Sequence, residues 1–208
     1  MIKAIVFDMD GVLIDAREWH FDALNQALRL FGFEISLDDH LELYDGLPTS
    51  KKLDLLTNSK GLPRDLHTLI NKLKQIYTMD IVQTQCRPTF HHEYALGRLQ
   101  REGYKIAVAS NSIKTTVETM MSKAALDPYL SFFLSNEDVS EPKPSPEIYL
   151  QAFRKLNLRP NEVLVVEDND HGIQAARSSG AHVMVVKSPA DVTYWTIAKH
   201  IQEIESKF

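Results

Sequence analysis

Asp8 and Asp10 stand two residues apart directly after an apolar run, residues 2–7 (IKAIVF), and Gly11 follows them. Three further polar sets occupy equivalent places. Ser110, Asn111 and Ser112 follow residues 105–109 (KIAVA), and Lys143 lies between Pro142 and Pro144 on the loop after residues 132–134 (FFL). Glu167 and Asp168 follow residues 163–166 (VLVV). If the first, second and fourth of these runs are neighbours, four carboxylates, one hydroxyl and one ammonium meet at one spot. Four carboxylates that close repel one another unless a cation lies among them. Every candidate ligand is an oxygen, and no Cys or His cluster competes. Such a donor set favours Mg²⁺, a hard ion that keeps waters and accepts a substrate phosphate. The chemistry within reach is phosphoryl transfer. A carboxylate can attack phosphorus, metal and lysine can neutralise the transferring group, and a second carboxyl two residues on can protonate the leaving oxygen.

These groups need a scaffold that brings strand ends together. The four apolar runs, with a fifth at residues 182–186 (HVMVV), read as strands buried on both faces of a parallel sheet. Helical patterns separate them at residues 90–100, 146–156 and 172–178. That alternation predicts a doubly wound, Rossmann-like α/β core with right-handed crossovers. In such sheets sites form beyond the carboxyl ends of the strands, where the strand order reverses. Between residues 15 and 85 the alternation stops and the chain reads as four amphipathic helices. Asp15 is the expected cap of the first, which ends at Gly32, and Ser36 starts a second that ends near Asp45-Gly46. Thr49 is expected to cap a third, and Pro63 to open a fourth with Leu66, Leu69, Ile70, Leu73, Ile76 and Tyr77 inward. The expected organisation is therefore a core of residues 1–14 and 86–208 with a helical cap of residues 15–85. A closing helix is expected over residues 191–208.

At this point the motifs resemble the haloacid dehalogenase superfamily, in its β-phosphoglucomutase-like phosphatase branch with a small helical cap. DMDGVLID (residues 8–15) resembles the first motif, Ser110 after KIAVA the second, Lys143 in EPKPSPEIY the third, and VVEDNDHGIQAARSSGA, with Glu167 and Asp168, the fourth. They occur in family order and span nearly the whole chain. The resemblance implies that Asp8 is the nucleophile and that Asp10 is the general acid/base, which also gives a backbone carbonyl to the metal. It implies that Ser110, Asn111 and Lys143 hold the phosphoryl group, and that Asp8, Asp10, Glu167 and Asp168 make the Mg²⁺ site. His20 then lies on the hinge side of the cap, where a contact to Asp10 on closure stands beside the plainer reading of a structural histidine. His171 stands in the loop of the acidic pair, and the adjacent His91-His92 reads as surface. The cap loop YDGLPTSKK (residues 44–52) supplies Gly46, Lys51 and Lys52 as substrate-side candidates.

Two departures bear on activity. Thr49 stands where β-phosphoglucomutase carries an arginine for a second phosphate, and Ile113 stands where it carries a lysine. Both weaken a mutase reading and favour hydrolysis of a small phosphate monoester such as a sugar phosphate. A dehalogenase would lack an acid at the place of Asp10, and an idle binding protein would be expected to have lost Asp8 or Asp10. Composition narrows the field further. Lys+Arg 23 against Asp+Glu 28 gives a net charge of −5, which argues against a nucleic-acid partner. The apolar runs are too short to cross a bilayer, and the first ten residues do not read as a signal peptide. The single cysteine, Cys86, cannot make an internal disulfide. The expectation is a cytoplasmic enzyme, monomeric or weakly self-associating, with a small phosphorylated metabolite as its partner.

Overall fold

The computed structural model describes residues 1–44 and 46–206. Five short strands form one parallel sheet: β1 (Ala4–Phe7), β2 (Lys105–Ala109), β3 (Phe132–Leu134), β4 (Val163–Glu167) and β5 (His182–Val185), in the order β3-β2-β1-β4-β5. The order reverses at β1, which pairs with β2 on one side and β4 on the other. Phe7 is level with Val108 in β2 and with Val166 in β4. Asp8, Ala109 and Glu167 therefore leave the sheet at the same height. Glu167 is itself the last residue of β4, one place further into the strand than the VLVV run suggests.

The strands are apolar and buried because helices cover both faces. Four core helices separate the later strands: α5 (Phe90–Arg101), α6 (Lys114–Lys123), α7 (Glu147–Leu156) and α8 (Asp170–Ser178); α9 (Tyr194–Glu205) closes the fold. Ala4, Val6, Ala107, Ala109, Val163 and Val165 share one core with Ile148, Tyr149, Ala152 and Phe153 of α7 and with Ala175 and Ala176 of α8. Alternation along the strands sends Ile5, Phe7, Ile106 and Val108 to the other face. There right-handed crossovers place α5 and α6, and α9 packs against α5. The α6 pattern is the one core helix the sequence reading leaves out.

Contacts divide the chain into two compact units, one formed by Met1–Asp15 with the chain from Arg87 onward, the other by Ala16–Cys86. The second unit is helical: α1 (Arg17–Arg29), α2 (Leu37–Asp39) continuing as a π-helical turn over His40–Tyr44, α3 (Thr49–Lys60) and α4 (His67–Gln85). It has its own core, with Leu24, Ala27, Leu28, Ile35, Leu53, Leu56, Leu62 and Ile70 fully buried.

Several local expectations are corrected. Asp15 does not cap α1; Ala16 stands at that position and no side chain bonds the first turn. Thr49 is the first residue of α3, after Pro48. Pro63 opens a 3₁₀ turn, Arg64–Leu66, rather than α4 itself. Leu69 and Ile76 are exposed, because the buried line of α4 runs through Ile70, Lys74, Thr78 and Val82 at four-residue spacing. Of the six residues expected inward, Ile70 is fully buried and Leu66, Leu73 and Tyr77 pack against the helical core, so only Leu69 and Ile76, at the edges of that face, are corrected. His91 and His92 are not simply surface: both rings reach the Pro189 carbonyl, at 3.3 and 2.9 Å, and His92 is buried. Ser36 does cap α2, accepting from the Asp39 N–H. Asp45, named as an end of that segment, and Phe208, named as the end of the closing helix, lie outside the described residues. Among the described residues no helix is long and apolar enough to cross a membrane.

Candidate active site

The turn after β1 is built around one carbonyl. Met9 O accepts the N–H groups of Leu13 and Ile14 at 2.9 Å, and the Gly11 N–H donates to Ile14 O at 2.7 Å. Met9 is fully buried under the turn, Asp8 is buried with it and Asp10 is half-buried. Gly11 has φ +84, and a side chain there would collide with the Asp168 carboxylate. Glycine at this position is what lets the end of β4 approach the β1 turn.

Lys143 arrives from the β3–α7 loop and is 4% exposed. Its Nζ donates to Asp8 Oδ1 at 2.7 Å, Glu167 Oε1 at 2.6 Å and Ala109 O at 2.8 Å, which uses all three ammonium protons. Two side chains fix the loop that carries it. Asn111 accepts from the Lys143 N–H at 3.0 Å and donates to the Lys143 carbonyl at 3.3 Å. Glu147 accepts the Ser140 and Glu141 N–H groups, each at 2.9 Å, and those bonds hold its carboxyl below the ordinary range. Asn111, expected to hold a phosphoryl group, thus has its side chain on the lysine loop.

Glu167 is 1% exposed and held on every side. Its Oε1 accepts from Lys143 and also from the Tyr149 hydroxyl at 2.6 Å; its Oε2 accepts from the Asp168 N–H at 3.1 Å. A side chain at position 172 would fall on this carboxylate, so Gly172 leaves the slot that Glu167 fills. Ser110 is buried, its Oγ accepts from the Ser112 N–H, and the Ser112 hydroxyl donates to Asp10 Oδ2 at 3.0 Å. His171 sits in the first turn of α8, its N–H bonded to Asn169 Oδ1.

The electrostatics follow from burial. Desolvation raises the Asp8 carboxyl well above the ordinary carboxylate range, with Lys143 opposing and Glu167, Asp10 and Asp168 adding to the rise. Burial would lower the Lys143 ammonium, but Asp8 and Glu167 more than offset it and its pKa is raised. Burial and the adjacent Glu167 push the Tyr149 phenol well above its usual value. One ammonium thus faces several carboxylates in a poorly solvated place. Oxygens of Asp8, Glu167 and Asp168 lie within 4.8 Å of one another, a spacing and hard-oxygen donor set that fit a divalent cation.

The structure therefore groups Asp8, Lys143, Glu167 and Asp168, with Asp10, Ser110 and Asn111 on the adjoining turns. His20, Gly46, Lys51 and Lys52 belong to the helical unit. There His20 Nδ1 lies 3.2 Å from Lys74 Nζ, Gly46 takes φ +71, Lys51 is exposed and Lys52 is buried. Sequence reasoning missed Tyr149, which it counted as apolar core, and Lys74, which interrupts the buried stripe of α4. A phenol or an ammonium on an otherwise buried stripe needs a polar partner, and that was the available signal.

Comparison with known proteins agrees with this picture. The family model described as haloacid dehalogenase-like hydrolase matches residues 5–186. A phosphorylated carbohydrates phosphatase of Thermotoga maritima is 26% identical over 183 residues, covering 86% of this chain and 82% of that protein. A phosphoglycolate phosphatase of Aquifex aeolicus is 27% identical over 179 residues, covering 86% and 82%. The crystal structure of a β-phosphoglucomutase from Clostridium difficile has the same fold, with a TM-score of 0.85 at 21% identity over 99% of this chain and 100% of that one.

Proposed function

This chain belongs to the haloacid dehalogenase-like hydrolase family, and from that premise we propose that it is a Mg²⁺-dependent phosphatase of small phosphate monoesters, a sugar phosphate or a related metabolite. The observation that carries the reading is the Lys143 ammonium 2.7 Å from Asp8 Oδ1, within a largely buried acidic cluster at the ends of the adjacent strands β1 and β4. The names of the two phosphatase relatives support the substrate class.

In this reading the Asp8 carboxylate attacks phosphorus, and the bond from phosphorus to the leaving oxygen breaks. Asp10 gives that oxygen a proton, which releases the alcohol and leaves an aspartyl phosphate. Asp10, now ionised, takes a proton from water; the resulting hydroxide attacks phosphorus, frees Asp8 and yields inorganic phosphate. Ser112 orients Asp10 for both steps. Lys143 balances charge on the transferring group, and Ser110 helps hold it as a neutral hydrogen-bonding hydroxyl. Asp8, Asp10, Glu167 and Asp168 are the residues proposed to hold Mg²⁺, whose chemistry when bound is to neutralise phosphoryl charge and align that group. His20, Gly46, Lys51 and Lys52 are proposed substrate-side residues of the helical unit. As the helical unit is inserted directly after β1, we assign it the role of a cap.

A panel of phosphorylated metabolites with Mg²⁺, read as released inorganic phosphate, tests the proposal. Turnover of at least one monoester is expected, lost in Asp8→Asn because an amide is a very poor nucleophile. Full hydrolysis by Asp8→Asn would remove Asp8 from the mechanism, and undiminished activity after thorough chelation would remove the metal. Efficient conversion of β-glucose 1-phosphate to glucose 6-phosphate with negligible phosphate release would make the enzyme a mutase despite Thr49 and Ile113.

A further inference from the structure

We propose that Tyr149 is a positioning residue for the cation site: its hydroxyl fixes Glu167, so that the acidic cluster meets Mg²⁺ with its carboxylates already set. The inference rests on the Mg²⁺ reading above.

Glu167 Oε1 takes two short bonds, from Lys143 and from the Tyr149 hydroxyl, each at 2.6 Å. Lys143 has no proton left to give, because Asp8, Ala109 O and Glu167 use all three. A further hold on Glu167 has to come from another donor. Tyr149 supplies it as a neutral group, which matters because a second cation would cancel the negative charge that attracts a dication. Tyr149 is fully buried within the α7 side of the sheet core, and no solvent reaches the hydroxyl to replace it. Its ring also lies against the Lys143 ammonium, 4.8 Å from Nζ to the centroid. One aromatic side chain thus braces both halves of the Lys143–Glu167 pair. The remaining freedom of Glu167 is removed by the Asp168 N–H on Oε2 and by the slot at Gly172. Partners of this kind, which hold a ligand's orientation, typically cost tenfold to a hundredfold in metal affinity when deleted.

The test is the Mg²⁺ dissociation constant of the full-length protein, by calorimetry, for wild type, Tyr149→Phe, Glu167→Gln and the double variant. Phenylalanine keeps the ring and its packing and deletes only the hydroxyl. The expected result is an affinity about tenfold or more weaker in Tyr149→Phe, with the two losses failing to multiply in the double variant because Tyr149 acts through Glu167. If Tyr149→Phe melts at a lower temperature with and without Mg²⁺ but binds the ion as tightly as wild type, the hydroxyl is merely structural and the proposal falls. Losses that multiply in full would overturn the route through Glu167. Failure of the wild type to bind Mg²⁺ would instead refute the metal reading, and this inference with it.

Discussion

Replacing Lys143 by methionine keeps most of the side-chain length and removes the charge, which isolates what the buried ammonium does. Lys143 is 4% exposed and donates to two carboxylates, Asp8 at 2.7 Å and Glu167 at 2.6 Å. A hydrogen bond to a charged group contributes about 1.5–3 kcal/mol, so two give roughly 3–6 kcal/mol. Breaking a buried pair by deleting one partner costs about 3–5 kcal/mol, since the surviving charge stays buried and uncompensated. Both routes lead to a loss of about 3–5 kcal/mol in urea unfolding without metal. The sign with pH is fixed by Asp8, already held above the ordinary carboxylate value by burial. Without the ammonium it rises further, so the deficit of the variant is small while Asp8 is protonated in both folded proteins and grows as pH rises through the raised range of Asp8, above the ordinary carboxylate pKa. Mg²⁺ should recover part of the loss, because it neutralises the same carboxylates; saturation at a hundred times the dissociation constant is worth about 2.7 kcal/mol. Turnover should fall roughly a hundredfold to a thousandfold, as for other deleted charge-stabilising donors. A variant within about 0.5 kcal/mol of wild type at neutral pH, or a deficit that does not change between pH 4 and pH 8, would refute this account of the site.

Gly172→Ala puts a methyl on the Glu167 carboxylate, so overpacking should cost about 1–3 kcal/mol and the Mg²⁺-induced rise in melting temperature should shrink; an unchanged Mg²⁺ response would show that Glu167 can move without consequence. His92 is buried chiefly at the expense of its charged form, which lowers its pKa from 6.5 to about 4 while the Pro189 carbonyl opposes. The unfolded chain therefore binds a proton the folded one refuses between those values, and stability should fall by about 3 kcal/mol as pH drops from 6.5 to 4. Urea unfolding across that range checks it, and His92→Gln should flatten the slope; an equal slope in the variant would place the acid sensitivity elsewhere.

Local chemistry alone marked Asp8, Asp10, Ser110, Lys143, Glu167 and Asp168. Each follows or ends a short run too apolar to be anything but buried, and a strand's carboxyl end is where a parallel sheet leaves polar groups unscreened. The helical insert was equally legible, because its periodicity changes from that of strands to that of helices after Asp15. What remained conditional was adjacency. The sequence contains five runs but not their order, and only the pairing of β1 with both β2 and β4 brings Asp8, Ser110 and Glu167 to one crevice. Partners through space were hidden for the same reason: Tyr149 reads as one more apolar position of α7 until Glu167 is found at its hydroxyl. His91 and His92 read as surface until Pro189, almost a hundred residues away, supplies the carbonyl both rings reach. On α4 the expected apolar face is wider than the contact it makes: Leu66, Ile70, Leu73 and Tyr77 pack into the helical core, and Leu69 and Ile76 stay outside. Propensity and periodicity act over a few residues and so can be read along the chain. Charge neutralisation and packing act over a few ångströms of space, and those distances exist only once the chain has folded.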